Sequence, residues 1–494
     1  MVFAVLEPQG TAILLAVLGL LVAFSVLFSR NIDRLGIPIV LLFLVLGMLG
    51  GSEGIGRIAF DNYAFAVRVG IVYLVLILFD GGLNTPLAAV RRVILPAGVL
   101  ATFGVGVTAA LVAGCARVLG LSWTEALLLG AVVSSTDAAA VLAVLRGGGL
   151  RLRPRVGHTL EVESCVNDPM AIILTVAVIE VATSPDALAW TLWLSVPLQL
   201  AVGAVVGLLL GYLGLRTITW IRPATAGLYP ALTLALAFLS FGVATLLHGS
   251  GFLSVYATAL VLGNSTLPYQ AWLTRIHEAL AWISQIALFL MLGLLVFPSR
   301  LLPIAPVGLG VGLFLAFVAR PVAVLLCLLP LGYSYREIAY IGWIGLRGAV
   351  PIILGAFPVL AGVPGAEQVF NIVFFIVVLS AFLPGATIRP VTHWLGLAAS
   401  ERPRANAVLE INAARPLNGK LVSFFIDPTA AACGVSLAQL QFPVDAAVVL
   451  IVRGEDVVAA RGTTVILPDD HVYVFLHPED QPYIELLFGQ PESS

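Results

Sequence analysis

The segment at residues 157–181, GHTLEVESCVNDPMAIILTVAVIEV, has the length of a membrane-spanning helix but contains acidic residues that hydrocarbon does not tolerate. About 20 apolar residues are needed to cross a hydrocarbon layer ~30 Å thick. Ionisable residues inside such a span cost about 2.5 to 3.5 kcal/mol each on insertion scales, so each indicates a partner or a function. The segment therefore predicts a transmembrane helix that carries a functional site around Asp168.

The composition of the whole chain is typical of a protein with many such spans. Of its 494 residues, 60% are hydrophobic and 11% are charged, a balance that a soluble protein cannot cover with polar surface. The four cysteines are scattered singly, which predicts neither disulfides nor a metal site, and a net charge of −2 gives no reason to expect a nucleic-acid partner. Residues 1–398 are therefore predicted to form an all-α polytopic membrane domain.

Glycine, proline and arginine divide the apolar sequence into about thirteen spans. Residues 10–29 are read as a permanent span rather than a signal peptide, because the apolar run is long and has no basic start. The predicted spans lie near residues 10–29, 36–50, 64–83, 93–119, 123–145, 157–181, 187–215, 228–247, 251–264, 275–297, 303–330, 335–360 and 367–392.

The loops between these spans differ in their arginine content. If the amino terminus is outside, the cytoplasmic loops hold most of the arginines, including the group between residues 146 and 155. Cytoplasmic loops of membrane proteins carry an excess of Lys and Arg. The distribution therefore predicts a periplasmic amino terminus and a cytoplasmic carboxyl terminus.

The pattern of apolar residues changes after the last predicted span, where the apolar runs become shorter. Strand-like runs at 446–453 and 471–475 are separated by polar turns such as Pro468-Asp469-Asp470. Residues 417–494 are therefore predicted to form a small cytoplasmic α+β domain, joined to the membrane domain by a linker at 399–416. A domain of this size has a small core, which favours self-association.

Asp168 is the strongest candidate for a transport residue. Helical spacing places Ser164 on the same stripe as Asp168, and Glu163 and Asn167 on the adjacent stripe. Pro169 has no N–H to donate, so it frees a carbonyl oxygen in the preceding turn. Burial makes a proton and an alkali ion compete for the carboxylate, and that competition is sufficient for exchange. The alternative is a membrane aspartate that is neutralised by an arginine.

The predicted fifth span contains Ser134-Ser135-Thr136-Asp137, whose side chains compete with the backbone for hydrogen bonds. We therefore expect the helix to be broken at this point. Asp137 could neutralise the positive end of the second half-helix, and Thr136 could offer its oxygen to the ion. Alternatively, the Thr136 hydroxyl bonds back to its own helix.

The predicted twelfth span contains a second interruption, Gly345-Leu346-Arg347-Gly348. Two broken helices, one in each half of the bundle, indicate a midplane transport site built from inverted repeats. Arg347 has two readings that can coexist. It could pair with Glu163, which leaves Asp168 as the free titrating acid, or it could compensate the carboxyl ends of half-helices.

Other polar residues carry weaker signals. Asp80, at the end of a span, fits an access path and a plain helix-end charge equally well, and Glu161 is a second candidate for the access path. Arg320 precedes Pro321 and is expected to have a structural role.

Four motifs together resemble the bacterial cation:proton antiporters of the NhaP type. They are the Glu-x-Glu-Ser-x-x-Asn-Asp run at 161–168, Ser-Thr-Asp at 135–137, Phe-Asp-Gly-Gly-Leu at 79–83 and Gly-Leu-Arg-Gly-Ala at 345–349. The resemblance covers residues 1–398. It implies a homodimer in the inner membrane, with two crossing broken helices in a mobile core that moves like an elevator.

The same resemblance implies roles for individual residues. Asp168 matches the aspartate that binds the ion or the proton, and Ser164 and Thr136 match cation ligands. Asn167 stands where electrogenic relatives have a second acid, which implies electroneutral one-for-one exchange. Glu163 matches an acid that pairs with the arginine found here at Arg347.

The carboxyl-terminal residues 417–490 resemble a TrkA carboxyl-terminal (RCK C) domain. Such domains dimerise and regulate potassium systems, which implies a small-molecule regulator, although a tail that only stabilises the protein fits as well. No Gly-x-Gly-x-x-Gly half precedes the domain, so the sequence does not support a Rossmann nucleotide site. Together, the two parts look most like a bacterial potassium/proton exchanger.

Three alternatives remain to be compared with this interpretation. Sodium could replace potassium, since both ions use oxygen ligands. An RCK-regulated potassium channel is less favoured, because the chain has no Thr-Val-Gly-Tyr-Gly filter. An intramembrane aspartyl protease would require a Gly-x-Gly-Asp context that neither Asp137 nor Asp168 has. We therefore expect a transporter of K⁺ or Na⁺ and H⁺, not an enzyme, with no cofactor.

Overall fold

A computed structural model describes residues 39–491 with gaps at 59, 148–149, 184–188, 222, 224, 400–418, 445, 455, 478 and 490, together with residues 12, 16, 19–20, 22–24 and 27. The predicted first span, at 10–29, therefore lies mostly outside the described residues, and the linker at 399–416 lies almost entirely outside them. The chain divides into a helical unit, which holds most of the residues up to Ala399, and a second unit that contains the carboxyl-terminal domain.

The described residues from Ile39 to Ala399 form fourteen helices. Their bounds are α1 Ile39–Gly50, α2 Tyr63–Asn84, α3 Leu87–Val118, α4 Trp123–Val132, α5 Ala138–Gly147, α6 Pro154–Thr183, α7 Ala189–Ile221, α8 Leu228–Leu246, α9 Gly251–Gly263, α10 Gln270–Leu294, α11 Pro298–Leu331, α12 Tyr335–Trp343, α13 Ala349–Leu360 and α14 Ala366–Trp394.

By length and composition, eight of these helices can cross a membrane, namely α2, α3, α6, α8, α10, α11, α14 and the Ser195–Ile221 part of α7. The shorter apolar helices are α1, α4, α9 and α13. The all-α polytopic fold is confirmed. The count of thirteen spans stays a prediction, because the described residues do not include the whole of the first span.

The same series of elements occurs twice along the chain. A long helix with a five-residue π-helical segment comes first, at Leu100–Gly104 in α3 and at Leu315–Ala319 in α11. Two short helices follow, α4 and α5 in the first series and α12 and α13 in the second, and then one long helix, α6 or α14. This duplication is the internal repeat that the two predicted helix breaks indicated.

Both series begin their broken helix in the same way. Ser122 accepts from the backbone N–H of Glu125 at the start of α4, and the Glu125 carboxylate accepts from the N–H of Ser122. Ser334 and Glu337 repeat this arrangement at the start of α12. A capping box satisfies two backbone donors that a helix otherwise leaves unpaired. Each broken helix therefore has a defined starting point.

The long helices α6 and α14 pack against the half-helices on either side of the two interruptions. Helix α6 packs against α3, α4, α5 and α13, and α14 packs against α4, α5, α11 and α13. A short antiparallel pair joins β1 Arg151–Leu152, just before α6, to β2 Ala398–Ala399, just after α14. The helices that carry the predicted site are thus held by neighbours on several sides.

The carboxyl-terminal domain is a four-stranded antiparallel sheet with one helix. Its strands are β3 Lys420–Phe425, β4 Ala447–Arg453, β5 Asp456–Ala459 and β6 Asp470–Leu476, in the order β3-β6-β4-β5, and α15 Gln481–Phe488 follows. The core contains Phe424, Ile451, Val472 and Phe488. Both predicted strand-like runs form strands, so the small α+β domain is confirmed.

Candidate cation and proton site

The two interruptions meet inside the helical unit. The first is the segment 133–137 between α4 and α5, and the second is the segment 344–348 between α12 and α13. The backbone N–H of Asp137 donates to the carbonyl oxygen of Leu346 over 2.8 Å. A β-carbon at Gly348 would overlap the Asp137 carboxylate, so glycine is needed for this close approach. The two broken helices therefore cross at their breaks.

Charged side chains cover the helix ends that the first interruption exposes. Asp137 Oδ1 accepts from the backbone N–H of Ala140 over 3.0 Å, at the positive amino end of α5. Arg347 Nη1 donates to the carbonyl oxygens of Ser134, over 2.9 Å, and Ser135, just beyond the end of α4. Opposite charges at helix ends are stabilising because the helix dipole places partial charge there. Of the two readings of Arg347, its hydrogen bonds match compensation of a half-helix carboxyl end.

Glu163 is neutralised by Arg320 and not by Arg347. Arg320 binds both carboxylate oxygens of Glu163 over 2.8 Å, and the two residues are 2% and 0% exposed. The pairing with Arg347 that the resemblance implied is therefore wrong. Arg320 directly follows the π-helical segment of α11. One extra residue in a turn rotates the following side chains by about 100°, a shift that a regular helical pattern does not predict.

Asp168 has no such fixed counter-charge. Its side chain is 7% exposed, and its Oδ1 accepts from the Ser135 hydroxyl over 2.7 Å. No Lys or Arg in the described part of the chain forms an ion pair with it. The alternative of an aspartate neutralised by an arginine is therefore wrong for these residues. A buried carboxylate is costly to keep charged when no cationic side chain pairs with it.

Three other predicted residues surround the same break. The Ser164 hydroxyl donates to the Thr136 carbonyl over 2.9 Å and accepts from the Ala138 N–H over 3.2 Å. Asn167 Nδ2 donates to the Thr136 hydroxyl over 2.6 Å. Thr136, Ser164, Asn167 and Asp168 are thus brought together where α6 passes the first interruption.

Ser135 is a partner of Asp168 that the sequence interpretation missed. The run of hydroxyl side chains at 134–136 was the available signal, but it did not show which hydroxyl faces α6. Each hydroxyl oxygen has two acceptor lone pairs. The hydroxyls of Ser135, Thr136 and Ser164 can therefore still offer oxygen to an ion beside the carboxylate.

The two candidates for an access path lie at the end of α2. Glu161 Oε1 accepts from the Thr85 hydroxyl over 3.1 Å, and Thr85 follows the last residue of α2. Asp80 Oδ1 accepts from the side-chain amide of Asn84 over 3.0 Å. Both acids are half-buried. A role for either of them in access stays a prediction.

The fold and the site together are typical of a membrane-embedded carrier of small cations and protons. A buried acid among hydroxyls, at the crossing of two broken helices, is the arrangement that secondary transporters use for ion binding. Residues 14–394 match the family described as "Sodium/hydrogen exchanger, transmembrane", and residues 421–489 match the TrkA-C domain. The chain belongs to the sodium/hydrogen exchanger family and is a cation/proton antiporter.

Individual relatives agree with this assignment. The K(+)/H(+) antiporter NhaP of Alkalimonas amylolytica is 38% identical over 480 residues, which cover 97% of this chain and 83% of the relative. The K(+)/H(+) antiporter NhaP2 of Shewanella sp. strain ANA-3 is 37% identical, with 96% and 83% covered.

A solved structure shows the same fold. The sodium proton antiporter MjNhaP1 from Methanocaldococcus jannaschii, determined at pH 8, superposes with a TM-score of 0.67 and 26% identity. The match covers 78% of this chain and 99% of that one.

Proposed function

We propose that the protein exchanges one potassium ion for one proton, with both ions competing for Asp168. The observation that carries the proposal is the contrast between two buried acids on α6. Both terminal nitrogens of Arg320 bind Glu163, whereas the hydrogen bond described for the Asp168 carboxylate comes from the uncharged Ser135 hydroxyl. The proton and the cation therefore have one open carboxylate to share.

The exchange is electroneutral because the residue beside Asp168 in the sequence, Asn167, is not a second acid. Asn167 carries no charge, is fully buried, and donates to Thr136. A single titrating carboxylate gives up one proton for each monovalent cation that it binds. The transport cycle therefore moves no net charge across the membrane.

Potassium is the favoured cation because both of the closely similar antiporters above are named for potassium and proton exchange. Sodium is the alternative, because the similar solved structure is named a sodium proton antiporter. Both ions would use the same hydroxyl and carboxylate oxygens, and selectivity between them depends on the size and flexibility of the cavity.

The proposed transporter is a homodimer with a defined orientation in the membrane. The distribution of arginines supports a periplasmic amino terminus and a cytoplasmic carboxyl terminus in a bacterial inner membrane. The match to a TrkA-C domain supports a homodimer that a small cytoplasmic molecule regulates. Elevator movement of the helices around the two breaks would expose Asp168 to each side in turn.

The test uses inverted membrane vesicles in which respiration has acidified the interior. Dequenching of a pH-sensitive dye after addition of K⁺ or Na⁺ reports exchange and gives an apparent KM for each cation. Asp168→Asn should abolish dequenching with both cations. The matched control is Glu180→Gln, which removes an exposed acid from the same helix and should leave exchange unchanged.

The outcomes separate the parts of the proposal. An Asp168→Asn protein that is present in the membrane and still exchanges cations would contradict the assignment of the site. A lower KM for Na⁺ than for K⁺ would favour the sodium alternative. Turnover that changes with an imposed membrane potential would contradict one-for-one exchange.

A further inference from the structure

A small cavity lies beside the second interruption, away from the carboxylate of Asp168. Its volume is about 20 Å³, and its lining includes Gly312, Arg320, Gly345, Arg347 and Ser380. The walls come from α11, from the break between α12 and α13, and from α14. One water molecule requires roughly 10–15 Å³, so the cavity has room for a single group of that size.

Three side-chain nitrogen atoms of the two arginines have no hydrogen-bond partner among the described residues. They are Nε of Arg320 and Nε and Nη2 of Arg347. The two side chains are only 2% and 3% exposed. Buried donors of charged groups are seldom left without an acceptor, because bulk water can no longer solvate them. The cavity therefore calls for a small hydrogen-bond acceptor.

The surrounding charges favour a neutral acceptor over an anion such as chloride. The charge of Arg320 is already balanced by Glu163, which it binds through its other two nitrogens. Arg347 faces the carbonyl oxygens beyond α4, and the carboxylate of Asp137 lies beside Gly348. Two arginines and two carboxylates thus lie around the breaks, so these four side chains together carry no net positive charge that an anion would neutralise. Unlike an anion, water can also donate hydrogen bonds, and helix carboxyl ends such as that of α12 present carbonyl oxygens as acceptors.

We propose that this cavity holds one ordered water molecule that accepts hydrogen bonds from Arg320 and Arg347. The water would couple the arginine that neutralises Glu163 to the arginine that covers the carboxyl end of α4. Both contacts position groups around the first interruption, where Ser135 binds Asp168. The water is thus a positioning element for the ion site. Its presence does not depend on which ion is carried, but its effect on transport rests on the proposed role of Asp168.

Substitutions at Gly345 can displace the water, although the added β-carbon also closely approaches the Arg320 side chain and lies 3.4 Å from the methyl group of Thr136. A β-carbon at this position would lie 3.0 Å from Arg320 Nε, in the space that an acceptor needs. Gly345→Ala fills that space with a methyl group, which cannot accept a hydrogen bond. Gly345→Ser adds the same β-carbon together with a hydroxyl that can. Comparison of Gly345→Ala with Gly345→Ser therefore distinguishes the loss of a hydrogen-bond acceptor from the effect of added side-chain volume.

We expect Gly345→Ala to lower the exchange rate by about tenfold at equal amounts of folded protein, the change expected for one buried donor left unpaired. Gly345→Ser should recover a clear part of that loss. Exchange by Gly345→Ala at the original rate, or a Gly345→Ser protein no more active than Gly345→Ala, would contradict the coupling.

A high-resolution map of the unmodified protein tests the water itself, including the case in which the variants do not fold. A density peak within hydrogen-bond distance of Arg320 Nε and Arg347 Nη2 is the expected result. An empty cavity overturns the proposal. A peak that becomes stronger when bromide replaces chloride also overturns it, because the occupant would then be an anion.

Discussion

The two interruptions occupy equivalent places in the repeated fold but carry opposite chemistry. The first, at 133–137, is Val-Ser-Ser-Thr-Asp, and the second, at 344–348, is Ile-Gly-Leu-Arg-Gly. The first therefore supplies oxygens and an acid, and the second supplies a cation and small residues. The first interruption depends on the second, because Arg347 of the second donates hydrogen bonds to the Ser134 and Ser135 carbonyl oxygens of the first. The two halves of the repeated fold therefore have divided roles.

The acid of the first interruption serves both broken helices. Asp137 binds the start of α5 through the N–H of Ala140 and also lies against Gly348, which precedes α13 and has no side chain to cap it. Two helix amino ends therefore face one carboxylate, and a negative charge is stabilising at such ends. The crossing is held by charges that each helix provides to its counterpart.

Arg347 can bind the carbonyl oxygens of Ser134 and Ser135 because Glu163 pairs with Arg320 instead. Replacing Glu163 with Gln should have the largest effect on stability, a loss of about 3–5 kcal/mol, because Arg320 would remain buried without its carboxylate. The double variant Glu163→Gln/Arg320→Gln should recover much of that loss. Chemical unfolding of the purified protein in detergent measures both.

A double-variant cycle shows which arginine is coupled to Glu163. The coupling energy of Glu163 with Arg320 should exceed that of Glu163 with Arg347, since only Arg320 binds both carboxylate oxygens. A larger coupling energy with Arg347 would mean that Glu163 interacts mainly with the second interruption. The two interruptions would then not have separate roles.

Arg347→Gln should have the next largest effect, about 3 kcal/mol of unfolding free energy. The substitution removes charge-assisted hydrogen bonds to the Ser134 and Ser135 carbonyls, each worth about 1.5–3 kcal/mol. Exchange should fall strongly, because Ser135 also binds Asp168. Arg347→Lys keeps the charge and should retain part of both properties, measured by unfolding and by dye dequenching. Equal losses for Lys and Gln would show that the charge is unimportant.

Sequence reasoning located both interruptions because polar residues are conspicuous inside apolar runs. Helical spacing along α6 and the hydroxyl run at 134–136 also pointed to the residues that cluster around Asp168. The partner of Glu163 could not be found in this way. It depends on the π-helical segment that turns Arg320 toward α6, and on how two helices far apart in the chain pack together. The choice of Ser135 over its neighbours depends on backbone conformation within the break.

Gly348→Ala tests the close contact between the two interruptions. The added methyl would overlap the Asp137 carboxylate and force it away from Ala140, at a cost of about 2 kcal/mol. The matched control is Gly81→Ala in α2, where a β-carbon meets no atom within 4 Å. Thermal unfolding should show a loss for the first variant and little change or a gain for the second. A Gly348→Ala protein as stable as the original would mean that the breaks can separate without cost.

The smallest effects should come from the feature that the two broken helices still share. Ser122→Ala and Ser334→Ala each remove the side chain of a capping box, a loss of about 1 kcal/mol. Because both boxes lie at the start of the first half-helix and not at the break, the two losses should be similar, and exchange should persist in both variants. Parallel unfolding and dequenching measurements check this. If one variant alone lost transport, the division of roles between the two helices would extend beyond their interruptions to the helix starts.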